Sequence, residues 1–259
     1  MINLLKLQTY LNAVFRYPDK PIIEIDPYMT NGLMVKGKEE IKRIGFGVSA
    51  SLALFKKAKE ADCDVIIVHH AFNLPPTPNY DFIFQNRIGY LIINDISLFG
   101  FHFLLDWHPE IGNNVQLLMK MGAVPEEPYM HKGNPWGWIG KMDGNATFTR
   151  CVSTLKKYIS PKSVIYNFGP ENIRRIVAIS GNGAPNAFDM KNLIDKKIDL
   201  YVTGEAHEWN QELFREAKIN FIAGGHYHTE VFGITALKEK IKSEFSSVET
   251  VWLDLPNDV

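Results

Sequence analysis

The run Asp64-Val65-Ile66-Ile67-Val68-His69-His70 constrains the fold of this chain more than any other stretch. A near-continuous Val/Ile run of this length reads as a strand buried on both faces, as in a parallel sheet covered by helices. Neighbouring side chains of a regular strand point to opposite faces. Two adjacent histidines can therefore share a site only if they lie just past the strand end. That is where open α/β sheets hold their ligands, outside the carboxyl ends of the strands.

The rest of the chain alternates in the way such a sheet requires. Leu4, Leu5, Leu7, Leu11, Val14 and Phe15 recur at helical spacing, which describes an amphipathic helix rather than a leader. A Pro-rich connector follows, with Asn31-Gly32 as a turn signal. A strand is expected from Ile41 to Val48 and a helix from Leu52 to Ala61 capped by Ser51. After the His69-His70 strand come a loop with Pro75, Pro76 and Pro78, a helix near Phe82 to Asn94, a strand from Ile96 to about His102, and a short helix from Asn114 to Met121. Beyond Pro125 a Gly- and Pro-punctuated β-rich patch intervenes. Phe148, Val152, Leu155 and Ile159 then mark a helix. Strands are expected near 163–168, 173–179, 199–202, 219–223 and 248–253, with helices ending near Asp195, Ala217 and Phe245. Strands alternating with helices imply a layered α/β protein, its sheets mixed to mainly parallel and flanked by helices. The change of texture near residue 108 divides it into a discontinuous first domain, 1–107 and 228–259, and a second α/β domain inserted at 108–227.

Composition narrows the function classes. The 259 residues include 46% hydrophobic and 22% charged residues, and the formal net charge is -1, so no basic excess announces nucleic acid and no polybasic run a membrane. No apolar stretch approaches the roughly 20 residues of a membrane span. Cys63 and Cys151, the only cysteines, form no metal or disulfide motif and read as two buried thiols in a cytoplasmic protein.

Three clusters carry the chemistry: His69-His70, then His102 with Asp106, then His226 with Glu230. Each falls at an expected strand end, and in a parallel sheet such ends share one edge. Imidazole and carboxylate suit Zn, Mn, Fe, Co or Ni. His69, His70, Asp106, His226 and Glu230 supply five ligands, with His102 a possible sixth. One ion needs three or four, so this number fits two divalent ions about 3.5–4 Å apart, bridged by a carboxylate and a water. Two such ions against Asp106 and Glu230 leave local positive charge for a small anionic substrate. Each cluster alone has a plainer reading: a structural histidine pair, a satisfied core pair, an i,i+4 helix-start contact. The loop Ser180-Gly181-Asn182-Gly183-Ala184 follows a strand and precedes a helix. The backbone N–H groups of Gly181, Asn182 and Gly183 suit a phosphate, and a tight strand-to-helix turn uses the same residues. Glu205, at another strand end, is a candidate general acid/base or a partner for a ligand histidine. His228 is a further proton-transfer candidate by position. Trp136 and Trp138 read as core or interface packing.

These segments resemble the NIF-three-like family, also known as GTP cyclohydrolase I type 2 homologues or dinuclear metal centre proteins. The resemblance covers nearly the whole chain. It is carried by Asn31-Gly32-Leu33-Met34-Val35, by Val68-His69-His70, by the stretch from His102 to Asn114, by Tyr201-Val202-Thr203-Gly204-Glu205, and by Gly224-Gly225-His226-Tyr227-His228-Thr229-Glu230. It implies two metals held by His69, His70, Asp106, His226 and Glu230 with His102 beside them, in a cleft between two α/β domains. It also implies a homo-oligomer, a ring-shaped hexamer built from dimers. The chain resembles the short bacterial branch and departs from the family's small-residue pattern at Tyr227-His228 and Ala71-Phe72-Asn73, which bears on substrate preference.

The expected activity is a dinuclear-metal-dependent hydrolase acting on a nucleotide-like or phosphorylated small molecule, with GTP ring opening as the reaction the family name suggests. The alternative is a metal-binding or regulatory protein without turnover: a metal store, insertase or sensor. A nucleic-acid-binding ring is disfavoured by the absence of a basic patch.

Overall fold

Val65–His70 forms the middle strand of a five-stranded sheet. In order, the strands are Glu249–Trp252, Arg43–Ser49, Val65–His70, Ser97–Gly100 and Gly32–Val35. The first four are parallel, and Gly32–Val35 closes the edge antiparallel to Ser97–Gly100. Both faces of the central strand are covered: Val65, Ile66, Ile67 and Val68 are fully buried. Ile66 and Val68 pack with Leu54, Phe55 and Ala58 of the helix Leu52–Glu60 and with Leu91 of the helix Phe82–Ile93. Each such side chain contributes about 1.5–3 kcal/mol on burial. The computed structural model describes residues 1–73 and 80–257. The loop expected at Pro75, Pro76 and Pro78 lies outside them.

Local signals explain the element ends. The Ser51 hydroxyl accepts the Leu54 N–H at 3.2 Å and starts its helix, while Asn186 and Asp189 form a reciprocal capping box at the helix Ala187–Asp195. Asn31-Gly32, expected as a turn, instead opens the strand Gly32–Val35. Gly32 has a φ of +124°, a value that glycine tolerates and a side chain does not.

Contacts divide the chain into two units. The first is Met1–Leu105 with Ile234–Leu255; the second is Asp106–Gly233 with the last residues from Pro256. The second unit is built on a six-stranded mixed sheet ordered Ala123–His131, Asn134–Met142, Arg175–Ile179, Leu200–Thr203, Asn220–Ala223 and Val164–Tyr166. Arg175–Ile179, Leu200–Thr203 and Asn220–Ala223 are parallel, and their neighbours run antiparallel. Ile176, Ala178, Val202 and Ile222 pack with Leu117, Leu118, Cys151 and Leu155 on one face. Val177, Ile179, Tyr201 and Phe221 pack with Leu193 and Phe214 on the other. The result is a helix–sheet–helix sandwich. The β-rich patch is a hairpin whose two turn residues, Lys132 and Gly133, both have positive φ, the type I′ geometry that matches strand twist. Trp138 belongs to the core of this unit, and its Nε1 donates to Trp107 O at 3.1 Å.

Candidate metal centre

In the first unit, three imidazoles meet at the carboxyl edge of parallel strands. His69 and His70 end the strand Val65–His70, and His102 follows the strand Ser97–Gly100. The ring centroids of His69 and His70 lie 4.5 Å apart, those of His69 and His102 4.9 Å, and those of His70 and His102 5.4 Å. One nitrogen from each lies within 4.8 Å of the others, a spacing that can hold a metal ion. Both His69 and His70 belong to the strand, which corrects the expectation that they lie past its end. Pairing with Ser97–Gly100 stops at Val68↔Gly100, while pairing with Arg43–Ser49 runs on to Ser49↔His70.

Each imidazole is oriented through Nδ1. His69 Nδ1 lies 2.9 Å from Phe101 O, His70 Nδ1 3.0 Å from Ser49 Oγ, and His102 Nδ1 2.8 Å from Asp26 Oδ2. A carbonyl and a carboxylate only accept, so His69 and His102 carry a proton on Nδ1, the arrangement that turns Nε2 toward a metal. Asp26 is buried and also accepts from Asn31 Nδ2 at 3.0 Å and Phe103 N at 3.3 Å. Burial raises its pKa, but these bonds, His102 foremost, outweigh it and hold the carboxyl below its ordinary range. Asn31 Oδ1 accepts the His102 N–H at 2.9 Å. Asp26 and Asn31 together fix the start of the helix Phe103–Trp107. Sequence reasoning missed Asp26, which nothing marks within its proline-rich connector.

In the second unit, the carboxyl edge of its three parallel strands carries the other ligand candidates. Ser180 follows Arg175–Ile179, Glu205 follows Leu200–Thr203, and His226 follows Asn220–Ala223 and opens the helix His226–Glu244. His226 Nε2 lies 3.3 Å from Glu230 Oε2, one helical turn on. His226 Nδ1 is bonded to Glu205 Oε1 at 2.5 Å, so Nδ1 carries a proton. Burial lowers the His226 pKa, but Glu230 and Glu205 together raise it to about 9. Asp106 is buried, and its Oδ1 accepts from Asn113 Nδ2 at 2.9 Å and Ser180 Oγ at 3.1 Å. Asn113 Oδ1 accepts the Gly233 N–H at 2.8 Å, which ties Asp106 to the helix bearing His226 and Glu230. Asn114 Oδ1 accepts the Ser180 N–H at 2.7 Å.

The glycine loop lies against these ligands. A Cβ at Gly181 would overlap Glu230 Oε1 and approach His226 Nε2 at 3.0 Å. The Gly181 N–H donates to Thr229 Oγ1 at 3.0 Å, and its carbonyl accepts the Gly204 and Glu205 N–H groups. The loop amides without a bond among the described residues are therefore those of Asn182 and Gly183, not Gly181. His228 sits two residues from both His226 and Glu230, off the helix face they share, with its ring edge-on to Tyr227 at 5.5 Å. His108 Nδ1 accepts the Glu110 and Ile111 N–H groups at 3.1 and 3.2 Å, and His131 is buried 3.6 Å from Asp189. Those two histidines serve local structure.

The donor set, four imidazoles and two buried carboxylates, fits divalent transition ions. The chain also has clear relatives. A protein of Archaeoglobus fulgidus named GTP cyclohydrolase 1 type 2 homolog is 34% identical over 253 residues, 96% of this chain and 99% of its own length. A protein of Pseudomonas aeruginosa with the same name is 37% identical over 257 residues, 97% of this chain and 98% of its own. The solved structure of protein ybgI, of unknown function, superposes with a TM-score of 0.85 at 30% identity over the whole of both chains. The Duf34/NIF3 (NGG1p interacting factor 3) family model matches residues 14–258, and the chain belongs to that family.

Proposed function

We propose that this protein is a dinuclear-metal-dependent hydrolase of nucleotide-like or phosphorylated small molecules, its two ions held by His69, His70, Asp106, His226 and Glu230 with His102 beside them. The observation that carries this reading is the shared orientation of the imidazoles. His69, His102 and His226 each have Nδ1 against an obligate acceptor oxygen, which leaves Nε2 as the nitrogen to face a metal in all three. The halves are also complementary in type. The first offers three imidazoles; the second offers one imidazole and two carboxylates. The chain passes between units within the ligand segments themselves, at Asp106 four residues after His102 and at Ile234 four residues after Glu230.

Bound divalent ions would supply an activated water and a clamp for an anionic oxygen. Within the chain, Asp26 and Glu205 hold the Nδ1 protons of His102 and His226, and Ser180 and Asn113 hold Asp106 in place. Glu205, half-buried beside His226, is the first candidate for proton transfer, with His102 and His228 as further ones. The relatives named GTP cyclohydrolase 1 type 2 homolog make GTP ring opening the first reaction to assay. The family resemblance extends the proposal to a ring-shaped hexamer. Exposed apolar side chains on the helix Phe82–Ile93, among them Phe82, Ile83, Ile92 and Ile93, support self-association.

The test is elemental analysis beside an activity panel. Asp106→Ala and Glu230→Ala should each lose most of the bound metal while circular dichroism shows the fold intact. The metal-loaded wild type should hydrolyse GTP, a phosphoester or a cyclic amide, and chelation should abolish turnover. Unchanged metal content in both variants overturns the ligand set. Loaded protein inert to the whole panel overturns the hydrolase and leaves a metal store, insertase or sensor.

A further inference from the structure

One exposed aromatic residue near the second unit's half-set is held far more firmly than a surface side chain requires. Trp209 is 49% exposed, yet it is fixed at one edge and on one face. Its Nε1 donates to Pro185 O at 3.3 Å. One face is covered by the His207 ring, with centroids 4.7 Å apart and planes at 27°. His207 is pinned in turn: Nε2 lies 3.0 Å from Asn182 Oδ1, and its backbone N–H donates to Asn210 Oδ1 at 2.7 Å. Buried Asn210 also donates to Pro185 O at 2.8 Å. An indole fixed at its edge and on one face, and still half exposed, presents its other face to solvent.

The position of this pair matters as much as its rigidity. His207 comes two residues after Glu205, which holds His226. Asn182 comes directly after Gly181, which abuts Glu230 and His226. With its oxygen engaged by His207, Asn182 is left with amide N–H groups as donors, beside the backbone N–H of Gly183.

We infer that Trp209, backed by His207, is a stacking wall for a planar heteroaromatic ring of the ligand, and that it selects ring-bearing substrates over saturated ones. Such stacking is sequence-tolerant and strong because every such ring has a π-face. A wall already ordered by His207 and Pro185 loses little freedom when the ring lands. The inference rests on the second unit's half-set being part of the reactive site, and its test avoids depending on metal.

Wild type, Trp209→Ala and Trp209→Phe are titrated in EDTA with adenosine, cytidine and ribose, and binding is read by saturation-transfer difference NMR. Adenosine should bind the wild type saturably and more tightly than cytidine, and ribose should not bind. Trp209→Ala should weaken adenosine at least about fivefold, with most of the affinity kept in Trp209→Phe. Equal adenosine affinity in Trp209→Ala, or no nucleoside binding by the wild type at the solubility limit, overturns the wall. A change of oligomeric mass in Trp209→Ala without ring binding in the wild type overturns it too, in favour of a contact between chains. Metal content of Asp106→Ala and Glu230→Ala, measured separately, keeps failure of the metal reading distinct.

Discussion

No side chain fits where Gly181 stands. Its φ is +58°, and a Cβ there would run into Glu230 Oε1. Gly181→Ala must therefore displace the carboxylate, the backbone or both. We expect metal affinity to fall about 10- to 100-fold, the usual cost of disturbing groups that position a ligand, with about 1 kcal/mol of lost stability from the left-handed backbone. Calorimetric titration with zinc checks this, and unchanged affinity would mean that Glu230 does not ligate. The ligand candidates were legible in the sequence because imidazole and carboxylate advertise their chemistry wherever they stand. The residues that orient them were not. Asp26 reaches His102 across 76 positions, and Ser49 and Asn113 are ordinary polar residues until the sheets bring them to His70 and Asp106. Nothing local separates them from any other polar side chain. Trp209 was silent for the same reason: its meaning lies in what holds it.

At the scale of elements, packing of helix on sheet buries both thiols. Cys151 sits inside the helix Phe148–Tyr158 and is 1% exposed; Cys63 precedes the strand Val65–His70 and is 4% exposed. Burial pushes Cys151 up to about 11 and Cys63 up to about 12, from an ordinary value of 9.0. A raised thiol pKa means that the folded state keeps its proton longer than the unfolded chain. The stability this lends is whole below pH 9 and is lost as pH climbs through about 11 and 12. Denaturant melts should show a decline over that window, with iodoacetamide slow to label either thiol in the folded protein at pH 8. Fast labelling at pH 8 would contradict the burial. The helices and parallel strands were readable from period and composition, since buried Val/Ile runs and helical apolar spacing are strong signals. The short strand Gly32–Val35 and the helix Phe103–Trp107 were not. Both are too brief to show a period, and both depend on Asn31 and Asp26, whose bonds are formed across the fold. The mixed character of the second sheet was only partly legible, because an antiparallel edge strand such as Val164–Tyr166 has no signature apart from its neighbour.

At the scale of the molecule, each unit brings its ligand candidates to the carboxyl ends of its own parallel strands, as open α/β sheets do. Among the described residues, no helix is long and apolar enough to cross a membrane. Under the proposed ring, light scattering on the eluting protein should give six times the 29.5 kDa of one chain, and a monomer mass would remove the hexamer from the proposal. The central claim, that these ligand candidates hold two ions, is tested most directly by an anomalous difference map at the metal edge from crystals of the purified protein. The account predicts two peaks, bounded by imidazole nitrogens of His69, His70 and His226, with His102 beside them, and by carboxylate oxygens of Asp106 and Glu230. A map with no peak, or with peaks away from these side chains, would contradict it.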